Sequence, residues 1–75
     1  MHSADYGLAI LLGALEGGER VYVCGAHDGR RVACSAERSY GCQALTRGVS
    51  RGLVAVDSDG EVIPTCDLAL AIETL

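Results

Sequence analysis

The sequence predicts a small α+β domain, a single unit of residues 1–75, with the element order α-β-β-α-β-β-α. Two β-prone runs flank Asp28-Gly29, and two more flank Asp59-Gly60. Glycine accepts the positive φ that a tight reversal needs, so each pair indicates a hairpin. Apolar residues recur at helical spacing before, between and after these hairpins. A four-stranded antiparallel sheet built from the two hairpins, with the helices packed on it, buries these stripes most simply.

The first predicted helix starts near the amino terminus. Ser3 is its predicted cap, and Gly17-Gly18 is its predicted end, because glycine is favoured just past the last helical turn. Its apolar residues follow a 3.6-residue period: Ala4, Leu8, Leu11, Leu12 and Leu15.

The first predicted hairpin spans residues 21–34, and its loop length decides which face each side chain takes. A three-residue loop, 27–29, would place Cys24 on the same face as Cys34. A two-residue loop, Asp28-Gly29, would place the two cysteines on opposite faces. The sequence leaves both alternatives open.

The second predicted helix runs from a cap at Ser35 to about residue 50. Its predicted apolar stripe consists of Ala36, Tyr40, Ala44 or Leu45, and Val49. Tyr-Gly at 6–7 and 40–41, together with the two Asp-Gly pairs, suggests a weak internal duplication of a helix–hairpin unit.

The second predicted hairpin spans residues 53–65. Pro64 lacks an N–H group and is expected at an edge or at the end of a strand. Asp67 is the predicted cap of a last helix over residues 68–75. The apolar residues there also alternate as in a strand, but the helical period is preferred.

The core must be built without Phe or Trp, although 49% of the residues are hydrophobic. A chain of this size buries only about 60% of its unfolded surface. Dimerisation would bury more apolar surface, so a homodimer is a reasonable expectation.

The net charge of −4 is unevenly distributed. Residues 20–51 hold all six arginines and two acidic residues, for +4, whereas residues 52–75 hold five acidic residues and no base, for −5. This acidic third argues against direct nucleic-acid binding and suits docking on a basic partner. A solvated acidic face is the alternative. The arginines at positions 30, 31, 38, 47 and 51 could cluster in space and could pair with this acidic third, within the chain or across a dimer.

The apolar run at residues 8–15 is far shorter than the ~20 residues that span a membrane. Asp5 precedes this run and no basic residue does, which is unlike a signal peptide. We therefore expect a cytoplasmic protein with reduced thiols.

The cysteines suggest an alternative, a zinc-stabilised module. Cys24, His27, Cys34 and Cys42 have the spacing C-x2-H-x6-C-x7-C, with Cys66 far away. Zinc prefers four such ligands in a tetrahedron, usually from two close pairs, and only Cys24 and His27 form a close pair here. Small buried thiols, or one of three possible sets of disulfides, explain the same residues.

Enzymatic activity is not expected. No nucleophile motif surrounds any cysteine, and no Gly-rich phosphate loop with its Lys-Ser/Thr is present. Residues 57–61, DSDGE, resemble a fragment of a calcium loop but lack the twelve-residue pattern, so a turn explains them.

The sequence thus favours a small acidic protein without a cofactor that binds another protein. An inhibitor that blocks a basic, nucleic-acid-binding surface of its partner fits best, in the manner of an antitoxin, an immunity protein or an anti-CRISPR-like phage counter-defence protein. The residues expected at the contact are Asp57, Asp59, Glu61 and Glu73. The alternatives are the zinc module and a homo-oligomeric accessory subunit.

Overall fold

The structure, a computed structural model, describes residues 5–75 apart from the side chains of His27 and Cys42. In chain order the elements are α1 (Tyr6–Glu16), β1 (Val21–His27), β2 (Arg30–Cys34), α2 (Cys42–Ser50), β3 (Val54–Val56), β4 (Glu61–Pro64) and α3 (Leu68–Thr74). All four strands form one antiparallel sheet in the order β2-β1-β4-β3. The predicted fold class and element order are confirmed.

The helices cover one face of the sheet. Alternate residues of the strands point toward the helices and are buried, because successive side chains of a strand point to opposite faces. Val21 pairs with Val62, and Val62 with Val56, on this inner face. The core consists of the buried residues Leu8, Leu11, Leu12, Val21, Ala33, Tyr40, Ala44, Leu45, Val54, Val62 and Ala71.

Helix α1 has the predicted core stripe. Leu8, Leu11 and Leu12 are fully buried, and the helix ends at the predicted glycines, with Gly18 at φ 85°. Asp5 occupies the cap position without a side-chain bond to the helix. The predicted cap at Ser3 and the apolar position at Ala4 lie outside the described residues.

The first hairpin turns at Asp28 and Gly29, whose φ angles are 51° and 76°. Two consecutive positive φ angles are the signature of the two-residue turn that matches strand twist. A β-bulge between Val23 and Gly25 then shifts the register, so that Tyr22 pairs with Cys34. Neither loop alternative from the sequence included this bulge.

The second helix is shorter than predicted. It begins at Cys42 instead of Ser35, and residues 35–41 form a loop. The backbone N–H of Tyr40 donates to the carbonyl of Ala33 at 2.8 Å, which continues the pairing along β2 and keeps this segment out of a helix. This hydrogen bond to β2 outweighs local helix propensity.

Part of the predicted stripe is therefore wrong. Ala36 and Val49 are exposed, whereas Tyr40 is buried although it lies in the loop before α2.

The hydroxyl of Tyr40 donates a hydrogen bond to Glu19 Oε1 at 3.1 Å. Hydrogen bonds from the Ser35 hydroxyl and from Tyr40 lower the pKa of Glu19 against the opposing effect of burial. The hydrogen bond from Tyr40 to Glu19 therefore connects the loop of residues 35–41 to the segment just before β1.

The second hairpin and the last helix agree with the sequence. Pro64 ends β4, beyond the two residues of β4 that pair with β1. Residues 68–74 are helical, and Asp67 Oδ1 accepts a hydrogen bond from the N–H of Leu70 at 3.2 Å, as its predicted capping role requires. The internal duplication stays a prediction, since the two central strands, β1 and β4, hold different places in their hairpins.

Helix α1 lies at the centre of the helical layer and contacts both other helices. A Cβ at Gly7 would meet the Cβ of Ala44 at 3.4 Å, so the glycine allows the close approach of α1 and α2.

At the start of α1, Asp5 is buried, with 7% of its surface exposed. Its Oδ1 accepts a hydrogen bond from Arg51 Nη2 at 3.0 Å and lies 3.6 Å from Arg47 Nη1. None of the helices within residues 5–75 is long and apolar enough to cross a membrane.

Candidate functional site

The face of the sheet opposite the helices is open to solvent across residues 5–75. Because Val21 and Val62 point inward, their neighbours Tyr22, Glu61 and Ile63 point outward. We call this surface the outer sheet face: Tyr22, Val32, Cys34, Ala55, Glu61 and Ile63. Tyr22 is 37% exposed and Ile63 is 38% exposed. A sheet with one uncovered apolar face is a candidate contact surface.

A bidentate ion pair orders the middle of the outer sheet face. Arg20 donates from Nη2 and Nε to the two carboxylate oxygens of Glu61, at 3.0 and 3.1 Å. The same guanidinium lies 5.7 Å from the ring centroid of Tyr22, within the range of a cation–π contact. The hydrogen bonds and the charge of Glu61 raise the pKa of Arg20. Glu61 is thus neutralised within the chain, and Tyr22 is held beside it.

The predicted acidic residues divide into two locations. Asp57, Asp59 and Glu61 meet at the turn between β3 and β4, whereas Glu73 lies on α3, on the helical side of the sheet. Asp57 Oδ1 accepts from the backbone N–H groups of Asp59 and Glu61, both at 2.9 Å, and so builds the turn. Asp59 is exposed, and within residues 5–75 no side-chain bond or ion pair engages its carboxylate. The carboxylate of Asp59 therefore faces solvent.

Two cysteines meet at the edge of the outer sheet face. Cys24 sits in the bulge, exposed, with Sγ 3.5 Å from the carbonyl oxygen of Val32. A hydrogen bond with the Cys24 thiol, burial and the charge of Cys24 raise the pKa of Cys34. The bulge therefore brings together two thiols that a regular two-residue hairpin would separate. Cys66 is exposed elsewhere, 3.5 Å from the carbonyl oxygen of Leu53.

Of the four residues predicted as zinc ligands, the structure describes the side chains of Cys24 and Cys34. The side chains of His27 and Cys42 are not among those described. Among the described side chains, no group of three or more His, Cys, Asp or Glu residues could hold a metal ion. The four-ligand zinc site stays a prediction.

The arginines of the central third gather partly between β2 and α2. Arg30 and Arg47 line one shallow hollow of about 260 Å³ with Gln43 and Thr46. Arg31 lines a second hollow of about 260 Å³, and Thr46 lines both hollows. Both are smaller than the ~300–1,000 Å³ typical of ligand pockets. Sequence reasoning anticipated the arginine cluster but not its polar lining.

Comparison of the chain with models of protein families, with curated proteins and with solved structures finds no match. The candidate site therefore rests on its own geometry. An exposed tyrosine and isoleucine, an ordered ion pair and an acidic turn share one open surface. Apolar side chains beside fixed charges can recognise another protein's surface.

Proposed function

We propose that this chain is a small non-enzymatic protein-binding module whose outer sheet face docks on a partner with an apolar contact flanked by basic side chains. The observation that carries the proposal is the position of exposed Tyr22 and Ile63 beside the acidic turn of residues 57–61. Aromatic side chains are enriched at the centres of interfaces, and the rim around such a centre is polar and solvent-accessible.

The ion pair between Arg20 and Glu61 favours binding through preorganisation. It holds Tyr22 in one arrangement before the partner arrives, so less side-chain entropy is lost on association. Arg20 also screens Glu61 from a basic partner. Asp59, rather than Glu61, is therefore the residue whose charge contributes most at the contact.

The acidic third of the chain sets the chemistry of the partner. Residues 52–75 hold five acidic residues and no base, and Asp57 and Asp59 lie in one turn of this segment. Opposite charge speeds encounter and selects partners more than it adds affinity. A partner whose basic surface normally binds nucleic acid fits this field, and covering that surface would make the module an inhibitor. Glu73, on the helical side, contributes through the long-range field alone.

The test begins with a partner purified by affinity capture from the source cells and then measures dissociation constants. Ile63→Glu puts a charge into the apolar contact and should raise Kd by at least about tenfold. Asp59→Asn should raise Kd by about two- to fivefold and flatten its dependence on salt. The matched control, Leu70→Gln, changes an exposed apolar residue of α3 and should leave Kd unchanged. Wild-type affinity for Ile63→Glu would overturn the proposal.

A second candidate, the zinc-stabilised module, is supported by the meeting of Cys24 and Cys34, which supply two soft ligands at one place. His27 and Cys42 complete the predicted set. Native mass spectrometry under reducing conditions reports bound metal directly. One zinc per chain that is lost in Cys34→Ser would support this function, and a metal-free wild type purified with added zinc would reject it.

A further inference from the structure

Helix α1 is apolar on both sides. Its inner stripe of leucines is buried, yet Tyr6 is 61% exposed and Ile10 is 47% exposed on the opposite side. Gly13 and Gly17 follow them along the same exposed side. We call these four residues the α1 outer face. From Tyr6 to Leu15 the helix has no charged residue. A helix that is apolar all round is normally buried on all sides, so the α1 outer face lacks a partner.

The two halves of the α1 outer face differ in size. Tyr6 and Ile10 are bulky and occupy the amino-terminal half, whereas Gly13 and Gly17 occupy the carboxy-terminal half. A Cβ at Gly13 would meet no atom within 4 Å, which leaves open space above this half. A second α1 running antiparallel would place its bulky half over the glycine half of the first helix. Its own glycine half would then lie under the bulky half of the first helix.

The ends of α1 carry opposite charge. At the amino-terminal end, Arg47 and Arg51 surround the carboxylate of Asp5, which leaves an excess of one positive charge among these three side chains. The positive end of the helix dipole adds to it. At the other end Glu16 is exposed. An antiparallel pair brings Glu16 of each copy to the arginines of the other, whereas a parallel pair would place like charges together.

We propose that the α1 outer face binds the α1 outer face of a second copy of this chain, antiparallel, about a two-fold axis beside Ile10. Such an interface is isologous, so one patch must complement itself, and the α1 outer face does so in shape and in charge. The helical layers meet at the centre of the dimer, and the two outer sheet faces point away from each other. The dimer therefore leaves both outer sheet faces open.

The size of the patch sets the expected affinity. An 11-residue helix is about 16 Å long. A standard interface buries about 800 Å² per partner, close to a fifth of the chain's 4378 Å² of accessible surface. One helical face covers less than that, so we expect a weak dimer with Kd on the order of 10–100 µM.

A membrane surface is a poorer occupant for the same patch. Helices that lie on membranes carry Lys or Arg along the polar face and bind anionic lipid through them. This chain has a net charge of −4, and α1 itself has no basic residue. Binding of α1 to anionic vesicles by the monomer would contradict the proposed pairing.

Analytical ultracentrifugation under reducing conditions tests the pairing, at concentrations from about tenfold below to tenfold above the expected Kd. Ile10→Glu keeps good helix propensity but places two carboxylates beside the two-fold axis, so Kd should rise at least about tenfold. Ile63→Glu is the matched control, since the same change on the outer sheet face should leave the dimer intact. A wild type that stays monomeric throughout, or a dimer that survives Ile10→Glu, would overturn the proposal.

The Gly13→Gln variant distinguishes an effect on dimerisation from an effect on folding. Glutamine is a better helix former than glycine, so the thermal midpoint of the monomer should rise, while the new side chain fills the space that Ile10 of the second copy would occupy. In this variant the dimer Kd and the stability of the monomer should both increase. A general loss of folding cannot produce this combination, because it would lower the stability of the monomer. An unchanged or lower Kd would contradict the size complementarity. Affinity for the partner of the outer sheet face is unaffected by either α1 variant, so failure here is distinguishable from failure of the proposed function.

Discussion

Gly48 of α2 has less room for a side chain than any other described glycine, and it offers a quantitative test of the packing. A Cβ there would lie 2.8 Å from Cγ2 of Val54 and 3.3 Å from Cδ1 of Leu8. Val54 is buried, and the branching at its Cβ restricts χ1, so Cγ2 cannot turn away cheaply. We predict that Gly48→Ala destabilises the domain even though alanine is the better helix former.

Two opposing effects set the magnitude. Replacing a helical glycine by alanine contributes about 1 kcal/mol of stability. Forcing a methyl group into a packed core costs about 1–3 kcal/mol. The net change for Gly48→Ala is therefore a loss of about 0–2 kcal/mol. A domain of this length has a total stability of about 4–11 kcal/mol, so such a loss is measurable.

Gly13→Ala is the matched control, because it makes the same change in an exposed helical position where a Cβ meets nothing within 4 Å. It should contribute about 1 kcal/mol, so the two variants should differ by about 1–3 kcal/mol. Urea unfolding followed by circular dichroism, at protein concentrations below the dimer Kd, measures both. Each kcal/mol also shifts the thermal midpoint by about 4–8 °C.

A double-mutant cycle identifies the contact responsible. Val54→Ala removes Cγ2, so Gly48→Ala should cost much less in that background than in the wild type. Equal stabilisation by Gly48→Ala and Gly13→Ala would refute the packing that we describe between α2 and β3. So would an unchanged cost in the Val54→Ala background.

Three further predictions concern single groups. Asp5→Asn removes the two ion pairs at the start of α1 and should destabilise the domain by about 1 kcal/mol in urea unfolding, less at high salt, because both arginines are partly exposed. The raised pKa of Cys34 means that less of its thiol is ionised at a given pH, so iodoacetamide should alkylate Cys34 more slowly than exposed Cys66. Cys24→Ala removes the hydrogen bond to Cys34 and should speed alkylation of Cys34. Equal alkylation rates for Cys34 and Cys66 in the wild type would contradict the thiol contact. Burial, followed by the bond to Glu19, raises the pKa of Tyr40, so absorbance at the tyrosinate band should show one late-ionising tyrosine that disappears in Tyr40→Phe.

The local elements of this fold could be read from neighbouring residues. The positive φ angles at Asp28 and Gly29, the Asp67 cap and the leucine spacing of α1 each depend on a few adjacent positions. Turn chemistry and helical periodicity carry such information because the contacts that decide them lie within about one or two turns of chain. The element order and fold class follow from these local signals.

The start of α2 could not be read in this way. Ser35 is a sound helix cap by local rules, yet Tyr40 bonds to the carbonyl of Ala33 and buries its ring against the core. That bond and that burial require β2 and the helical layer to be already in place. Tertiary contacts therefore override the local preference over residues 35–41.

The composition of the candidate site depends even more strongly on the tertiary structure. Sequence reasoning selected Asp57, Asp59 and Glu61 by charge, but it missed Arg20, which is 41 positions from Glu61 and neutralises it. It also missed Tyr22 and Ile63, since no local signal distinguishes an outward strand residue from an inward one until the sheet has a covered face.

Composition and short-range spacing by themselves determined that this chain is a small α+β domain with an acidic carboxy-terminal third. Only the tertiary structure decided the strand order that sets β1 beside β4, the bulge that brings Cys24 to Cys34, and the choice of exposed faces. The physical reason is the range of the interactions. Turns and helices are selected by neighbours along the chain, whereas register and exposure are selected by packing between segments that lie tens of residues apart.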